Sequence, residues 1–262
     1  MQDRRNFYLI EVQFLGFRYS GWQKQPGRKT IEGMLLKTLK FILPGQRCKI
    51  LGAGRTDAKV SALDAAFELF LDGDPPTDLP MFTDLFNKNL PPDIRVVGMT
   101  EVDGSFNIIG NGKEKEYVYL FSFGQKSHPF CAPFLANFVE ALDLERMIMA
   151  AKLFEGTHNF ENYTVRHQEH TNFERTVLQC YLCENEVLSA NFFPPQSYAL
   201  HIVASGFMRY QVRMIMGALV LVGRGALSPK EIENSLKKGN NVPISYVAPG
   251  SGLLLNRLDF DR

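Results

Sequence analysis

The run Leu51-Gly52-Ala53-Gly54-Arg55-Thr56-Asp57-Ala58-Lys59-Val60-Ser61-Ala62 sets a base and an acid just behind a pair of glycines. A mainly apolar stretch, Cys48 to Leu51, leads in, and another, Ala62 to Leu71, leads out. Two glycines near a strand end let the backbone turn sharply or lie close to a ligand. Arg55, Thr56 and Asp57 therefore fall on a short turn between two buried strands, a rigid edge of the kind that carries function. The turn by itself is equally compatible with a structural role, Asp57 capping local amides and pairing with Arg55.

Two other spacings raise metal chemistry. His167-x-x-His170 and Cys180-x-x-Cys183 are similar to zinc-ligand pairs. Thr176 to Cys183 reads as a strand, however, and residues three apart on a strand point to opposite faces. Those cysteines are poorly placed to grip one ion, and no metal is expected.

The elements that must position these residues follow from periodicity. Arg5 to Leu15 alternates as a strand, with Tyr8, Ile10, Val12 and Phe14 in phase. Thr30 to Leu43 reads as a helix capped by Thr30, ended by Pro44 and apolar along Ile31, Leu35, Leu39 and Ile42. Strands over Lys49 to Gly52 and Ala62 to Leu71, a helix over Asp78 to Asn89 and a strand over Ile94 to Val102 complete a β-α-β-β-α-β series. That order is the split βαβ, ferredoxin-like pattern.

A similar series comes next. Glu116 to Phe123 is a strand, and Leu144 to Phe154 a helix stopped by Gly156. Thr176 to Cys183 and Tyr198 to Ala204 are strands, and Val212 to Val222 is a helix apolar almost all round, hence deeply buried. Ser228 caps a shorter helix with Pro229 at its first position, ending near Lys238, and Gly252 to Phe260 closes as a strand. His158 to Asn172, polar and aperiodic, is expected to be a mobile loop. The fold class is α+β, with two α/β halves expected over 1–105 and 106–262.

With 262 residues, 45% hydrophobic and 22% charged, the chain has ample material for a core and an ordinary soluble balance. No apolar run approaches the ~20 residues that span a bilayer, so no membrane partner is expected. The opening Met1-Gln2-Asp3-Arg4-Arg5-Asn6 runs straight into a strand pattern, so no signal peptide is expected. Four cysteines in this length are no disulfide framework and fit a reducing cytoplasm. The net charge is only +1, yet residues 1–60 hold twelve Lys or Arg against four Asp or Glu. Phosphate contact needs a local positive surface rather than a basic average, so this excess is compatible with RNA binding.

Gly54-Arg55-Thr56-Asp57-Ala58 resembles the active-site loop of the tRNA pseudouridine synthase A family. Other segments similar to that family's signatures occur in its order along nearly the whole chain. They are Gly21-Trp22-Gln23-Lys24-Gln25-Pro26, Thr30-Ile31-Glu32-Gly33, Leu90-Pro91-Pro92-Asp93-Ile94-Arg95-Val96 and Lys115-Glu116-Tyr117-Val118-Tyr119. Later come Arg175-Thr176, the run from Gly206-Phe207-Met208-Arg209 through Gln211-Val212-Arg213 to Gly217, and Ala248-Pro249 with Gly252-Leu253-Leu254-Leu255.

The resemblance implies a fold in which the two halves join their sheets into one mainly antiparallel sheet with a central RNA-binding cleft. It implies a homodimer acting on tRNA, on uridines of the anticodon stem-loop, with no cofactor. Asp57 takes the part of the catalytic carboxylate, as nucleophile or as base. Arg213 matches the late-helix arginine, whose guanidinium would hold Asp57 ionised and oriented; a buried ion pair with another carboxylate is the structural alternative. Tyr117 matches the motif tyrosine that stacks on uracil and serves as base or relay, although Tyr117 and Tyr119 share a strand face and either is open to a core role. Leu253 or Leu255 would floor the base site. Arg55 would contact phosphate or occupy the space that the unstacked uridine vacates; Lys24, Arg28 and Lys29 would extend the phosphate track, or simply be solvated surface charges.

Two departures stand out. Where the family typically reads Ala-Gly-Val-His-Ala after its Asp, this chain has Ala58-Lys59-Val60-Ser61-Ala62. Where it reads Phe-His-Ala-Arg, this chain has Phe106-Asn107-Ile108-Ile109. These losses leave open a catalytically weak or inactive relative that binds or chaperones tRNA.

Overall fold

A computed structural model of the chain describes residues 5–165 and 170–260. The chain divides into two compact units, Met1–Lys113 with Leu255–Arg262, and Glu114–Leu254. Both are α+β, and their strand pairing is mainly antiparallel.

The first unit runs β1 (Arg5–Phe14), α1 (Ile31–Ile42), β2 (Arg47–Gly52), β3 (Ser61–Asp72), α2 (Leu79–Asn89) and β4 (Ile94–Val102). Its sheet places β1 between β4 and β3, with β2 also paired to β3. This is the βαββαβ pattern expected from periodicity. Thr30 caps α1 by accepting the Gly33 amide at 3.2 Å. Ile31, Leu35 and Leu39 lie fully buried along one stripe of that helix, each stabilising the unit by roughly 1.5–3 kcal/mol. Asp78 caps α2, which turns Phe82 and Phe86 inward. The register of β1 shifts between Glu11 and Val12 against β4, and between Val12 and Phe14 against β3. Such bulges bend a strand and re-aim the chain beyond them; here that chain is the segment opening at Gly16.

The second unit contains most of β5 (Gly112–Phe123), then β6 (Ala136–Phe138), α3 (Leu144–Ala151), β7 (Gly156–Asn159), β8 (Glu174–Glu184), β9 (Tyr198–Ala204), α4 (Gln211–Gly223) and α5 (Pro229–Ser235). Its sheet order is β5-β9-β8-β7, with β6 parallel to β5. Within α4 every residue but Arg213 and Leu221 is buried, as its apolar circumference predicts. The last strand, β10 (Leu253–Phe260), begins in this unit, where Leu254 joins a core with Val118, Leu120 and Ala199. From Leu255 onward the chain belongs to the first unit rather than to the half that linear order assigns it. There Asp64 of β3 accepts the Leu258 amide at 3.0 Å.

Two element readings need correction. The segment from His158, expected as loop throughout, opens on the end of β7, where Thr157 and Thr176 share a 2.8 Å hydroxyl hydrogen bond across to β8. A four-residue strand is too short to display alternation. Helix α5 stops at Ser235, not near Lys238; the Ile232 carbonyl accepts both the Ser235 hydroxyl at 2.6 Å and the Leu236 amide at 3.2 Å, and the chain then tightens, the Lys237 amide donating three residues back to the Asn234 carbonyl. His167 lies outside the described residues. On β8, Cys180 is buried and Cys183 exposed, on opposite faces as strand geometry requires. No helix among the described residues is long and apolar enough to cross a membrane.

Candidate active site

In the first unit the turn between β2 and β3 carries Arg55, exposed, and Asp57, half-buried. It is held from the outside by the segment that comes after β1. The Trp22 amide donates to the Thr56 carbonyl at 3.0 Å, and the Lys59 amide to the Tyr19 carbonyl at 3.1 Å. The Gly16 amide donates to the Ser61 hydroxyl at 2.9 Å, and inside the turn Val60 donates to the Asp57 carbonyl at 3.2 Å.

Contact this close requires glycine at two places. A Cβ at Gly16 would sit 1.8 Å from the Val60 carbonyl oxygen, and one at Gly21, whose φ is +96°, 2.6 Å from that of Thr56. Trp22, 3% exposed, wedges beneath the turn against Phe14 and Phe67, its indole where a Cβ on Gly52 would lie.

The clamping segment is itself tied down. Asp93 accepts from the Tyr19 hydroxyl at 2.7 Å and from Arg18 Nε at 2.8 Å, and its carbonyl accepts the Leu15 amide at 2.9 Å. Burial opposes ionisation of Asp93, yet these hydrogen bonds and the Arg18 charge together hold its pKa below the usual carboxylate range. On the other side, the amides of Ile31 and Glu32 donate to the carbonyls of Gly21 and Trp22. Trp22 thus links the N-terminus of α1 to the Asp57 turn through its two backbone groups. Lys24 is exposed on the adjoining loop, its amide and the Gln23 side chain both donating to Glu32.

In the second unit Tyr117 and Tyr119 share a face of β5 with different surroundings. Tyr119 is fully buried, and its hydroxyl donates to the Pro249 carbonyl at 2.7 Å. Burial pushes that hydroxyl's pKa well up, so Tyr119 stays neutral and structural. Tyr117, 9% exposed, packs edge-on against Phe207 at 5.3 Å. Arg213, in the first turn of α4, donates from Nε to the Ala248 carbonyl at 2.8 Å and lies over the Tyr210 ring at 4.7 Å. Its carbonyl accepts the Ala248 amide at 3.1 Å. The turn from β9 into α4, residues 205–210, thereby touches both candidates. Further along, α4 meets the strap that runs through Tyr246 to Ala248 so closely that a Cβ at Gly217 would stand 1.9 Å from the Tyr246 carbonyl oxygen. Leu253 and Leu255 share a face of β10 and are buried, at 5% and 3% exposure.

Among the described residues, two that are not glycine have positive φ: Lys59 at 68°, two after Asp57, and Tyr210 at 65°, three before Arg213. An L-residue in this region costs roughly 1–2 kcal/mol, and such strain collects where a backbone is held for function.

Comparison with known proteins fits this picture. A family model described as tRNA pseudouridine synthase matches residues 150–261. The tRNA pseudouridine synthase A of Dictyoglomus turgidum is 31% identical over 253 residues, covering 97% of this chain and 99% of the relative. The chain belongs to the tRNA pseudouridine synthase A family. Its namesake from Aquifex aeolicus is 32% identical over 251 residues, covering 96% and 98%. That of Thermodesulfovibrio yellowstonii is 31% identical over 257 residues, covering 95% and 97%.

Membership in the tRNA pseudouridine synthase A family gives the separate signature segments a common logic. Those around Gly21, Thr30 and Asp93 immobilise the Asp57 turn; those around Arg213, Ala248 and Gly252 brace α4 and β5. Gly16, Tyr19 and Ser61 belong to the site although residue type does not single them out for it. A glycine and aromatic residues just after a strand are the signal for Gly16 and Tyr19; Ser61 is conspicuous only as a departure. At the second departure, Asn107 Oδ1 accepts the Ile109 and Gly110 amides, Ile108 is buried in the core with Leu9 and Leu258, and Ile109 is 64% exposed.

Proposed function

We propose that this chain isomerises uridine to pseudouridine in tRNA, in the anticodon stem-loop, as a cytoplasmic homodimer and without a cofactor. The observation that carries the reading is the Asp57 turn, held by backbone hydrogen bonds to the segment after β1, in a chain similar over nearly its full length to the tRNA pseudouridine synthase A of Dictyoglomus turgidum. The reaction breaks the C1′–N1 bond, turns the uracil and joins C1′ to C5, the C5 proton leaving to a base while N1 takes up a proton. Atoms and electrons balance within the nucleotide, so an oxidant or reductant has no task.

Asp57 supplies the carboxylate at the sugar, as nucleophile or base. Arg213, fixed by Ala248 and Tyr210, has the task of keeping that carboxylate ionised and oriented. Tyr117 takes the uracil and its C5 proton, while Leu253 or Leu255 floors the base. Arg55 and Lys24 contact phosphate. Unstacking the target uridine costs a few kcal/mol, offset by these contacts.

The test is release of tritium from C5-labelled uridine in tRNA. The native chain should release it and Asp57→Ala should not, with unfolding midpoints alike. Full activity in Asp57→Ala would sink the assignment. A second reading, a tRNA-binding relative without catalysis, is favoured by the residues at Lys59, Ser61, Asn107 and Ile109. Tight tRNA binding with no pseudouridine on any transcript would establish it instead.

A further inference from the structure

Lys59 sits in the left-handed region at φ 68°, a conformation that glycine adopts without strain. Its amide is committed to the Tyr19 carbonyl, so the backbone cannot relax without loosening the Asp57 turn. Its exposed side chain extends over the Phe17 ring, Nζ 5.4 Å from the centroid. Two residues on from Phe17, Tyr19 carries Lys29 in the same manner at 5.0 Å. Among the described residues neither lysine has a carboxylate partner, nor does Arg55 on the same turn. Three unneutralised cations, two of them lying on aromatic rings, therefore flank the Asp57 turn within the first unit. An ammonium held on a ring keeps its charge and loses part of its rotamer freedom in advance, which favours a fixed anion over solvent.

We propose that Lys59 is a substrate-binding residue that contacts a backbone phosphate of the RNA strand carrying the target uridine, with Phe17 as its support. This rests on the tRNA reading above. A strained lysine retained where glycine would be relaxed is accounted for by such a contact. A purely structural role for the side chain would be limited to its packing on Phe17.

Binding of an unmodified tRNA transcript at a series of salt concentrations tests this, using the full chain and its Lys59→Asn, Lys59→Gly and Lys59→Arg variants. Asn tolerates the left-handed region, so Lys59→Asn removes the charge with the least change to the backbone. One lost phosphate contact lowers the magnitude of the slope of log K against log salt by roughly 0.7–0.9, the single-strand and B-form duplex values. Lys59→Asn and Lys59→Gly should show that drop, and Lys59→Arg should keep the native slope. Lys59→Gly should unfold no lower than Lys59→Asn, which excludes misfolding as the cause. An unchanged slope in Lys59→Asn overturns the proposal, whatever its Tm. Pseudouridine formation by the native chain is scored separately: its absence tells against the synthase reading, whereas the slope alone decides Lys59.

Discussion

A methyl group at position 16 would stand 1.8 Å from the carbonyl oxygen of Val60, a backbone atom that no side-chain rotation can move. The same residue's amide donates to Ser61, so Gly16 and Ser61 together seat the Asp57 turn against the segment leaving β1. Gly16→Ala is therefore expected to cost about 1–3 kcal/mol and to lower turnover by displacing Asp57. Gly27 is the control: its φ is +67°, nothing lies within 4 Å of a Cβ there, and Gly27→Ala should cost only the roughly 1–2 kcal/mol of that backbone region and leave turnover unchanged. Urea unfolding and tritium release, run on both, separate the two cases; equal losses would mean that close approach at Gly16 is unimportant. Ser61→Ala leaves a buried amide without its acceptor, worth roughly 1–3 kcal/mol. These roles are illegible from residue types alone. Asp57 stands out because an acid after two glycines is chemically conspicuous, but Gly16 acquires its meaning from a chain segment that is remote in sequence. Lys59 is a similar case: residue type does not disclose that its backbone is left-handed.

At the level of elements, legibility tracks periodicity and caps. The stripe Ile31, Leu35, Leu39 and the cap Thr30 define α1 from residue order alone, and the apolar circumference of α4 foretells its burial. β6 and β7, three and four residues long, leave no periodic trace. What periodicity cannot convey is how tightly an element approaches its neighbour. Gly217 lies inside α4, where Ala is the better helix former by about 1 kcal/mol. Propensity alone predicts that Gly217→Ala stabilises. Packing predicts the reverse, since the new Cβ would stand 1.9 Å from the Tyr246 carbonyl oxygen. Relief requires moving either α4 or the strap through Ala248 that holds Arg213. Gly217→Ala should therefore lower the Tm and lower the rate of pseudouridine formation with it. A stabilised variant would show that the strap is free to yield.

For the molecule as a whole, a near-neutral average conceals both the basic first 60 residues and a division of its carboxylates into two kinds. Asp93 is held below the usual carboxylate range, so its hydrogen bonds add stability that is complete above that range and lost as pH falls through the folded value. Glu68 is the opposite kind. It lies 2% exposed on β3, accepting the Ile108 amide at 3.4 Å, and burial raises its pKa despite that hydrogen bond and the Lys49 charge. A raised carboxyl binds its proton more tightly folded than unfolded. Stability is thus lost as pH climbs from the ordinary carboxylate value through the raised one, and the penalty is complete above it. Glu68→Gln retains an oxygen for the Ile108 amide and removes the ionisation. It should raise the Tm at about pH 7.5, where native Glu68 bears a buried charge. The gain should shrink towards about pH 4, where the folded native protein is protonated there as well. Thermal unfolding of both forms across that range decides the matter. A gain that is absent at pH 7.5, or that persists undiminished in acid, would mean that ionisation of Glu68 does not limit the stability of the unit that carries Asp57.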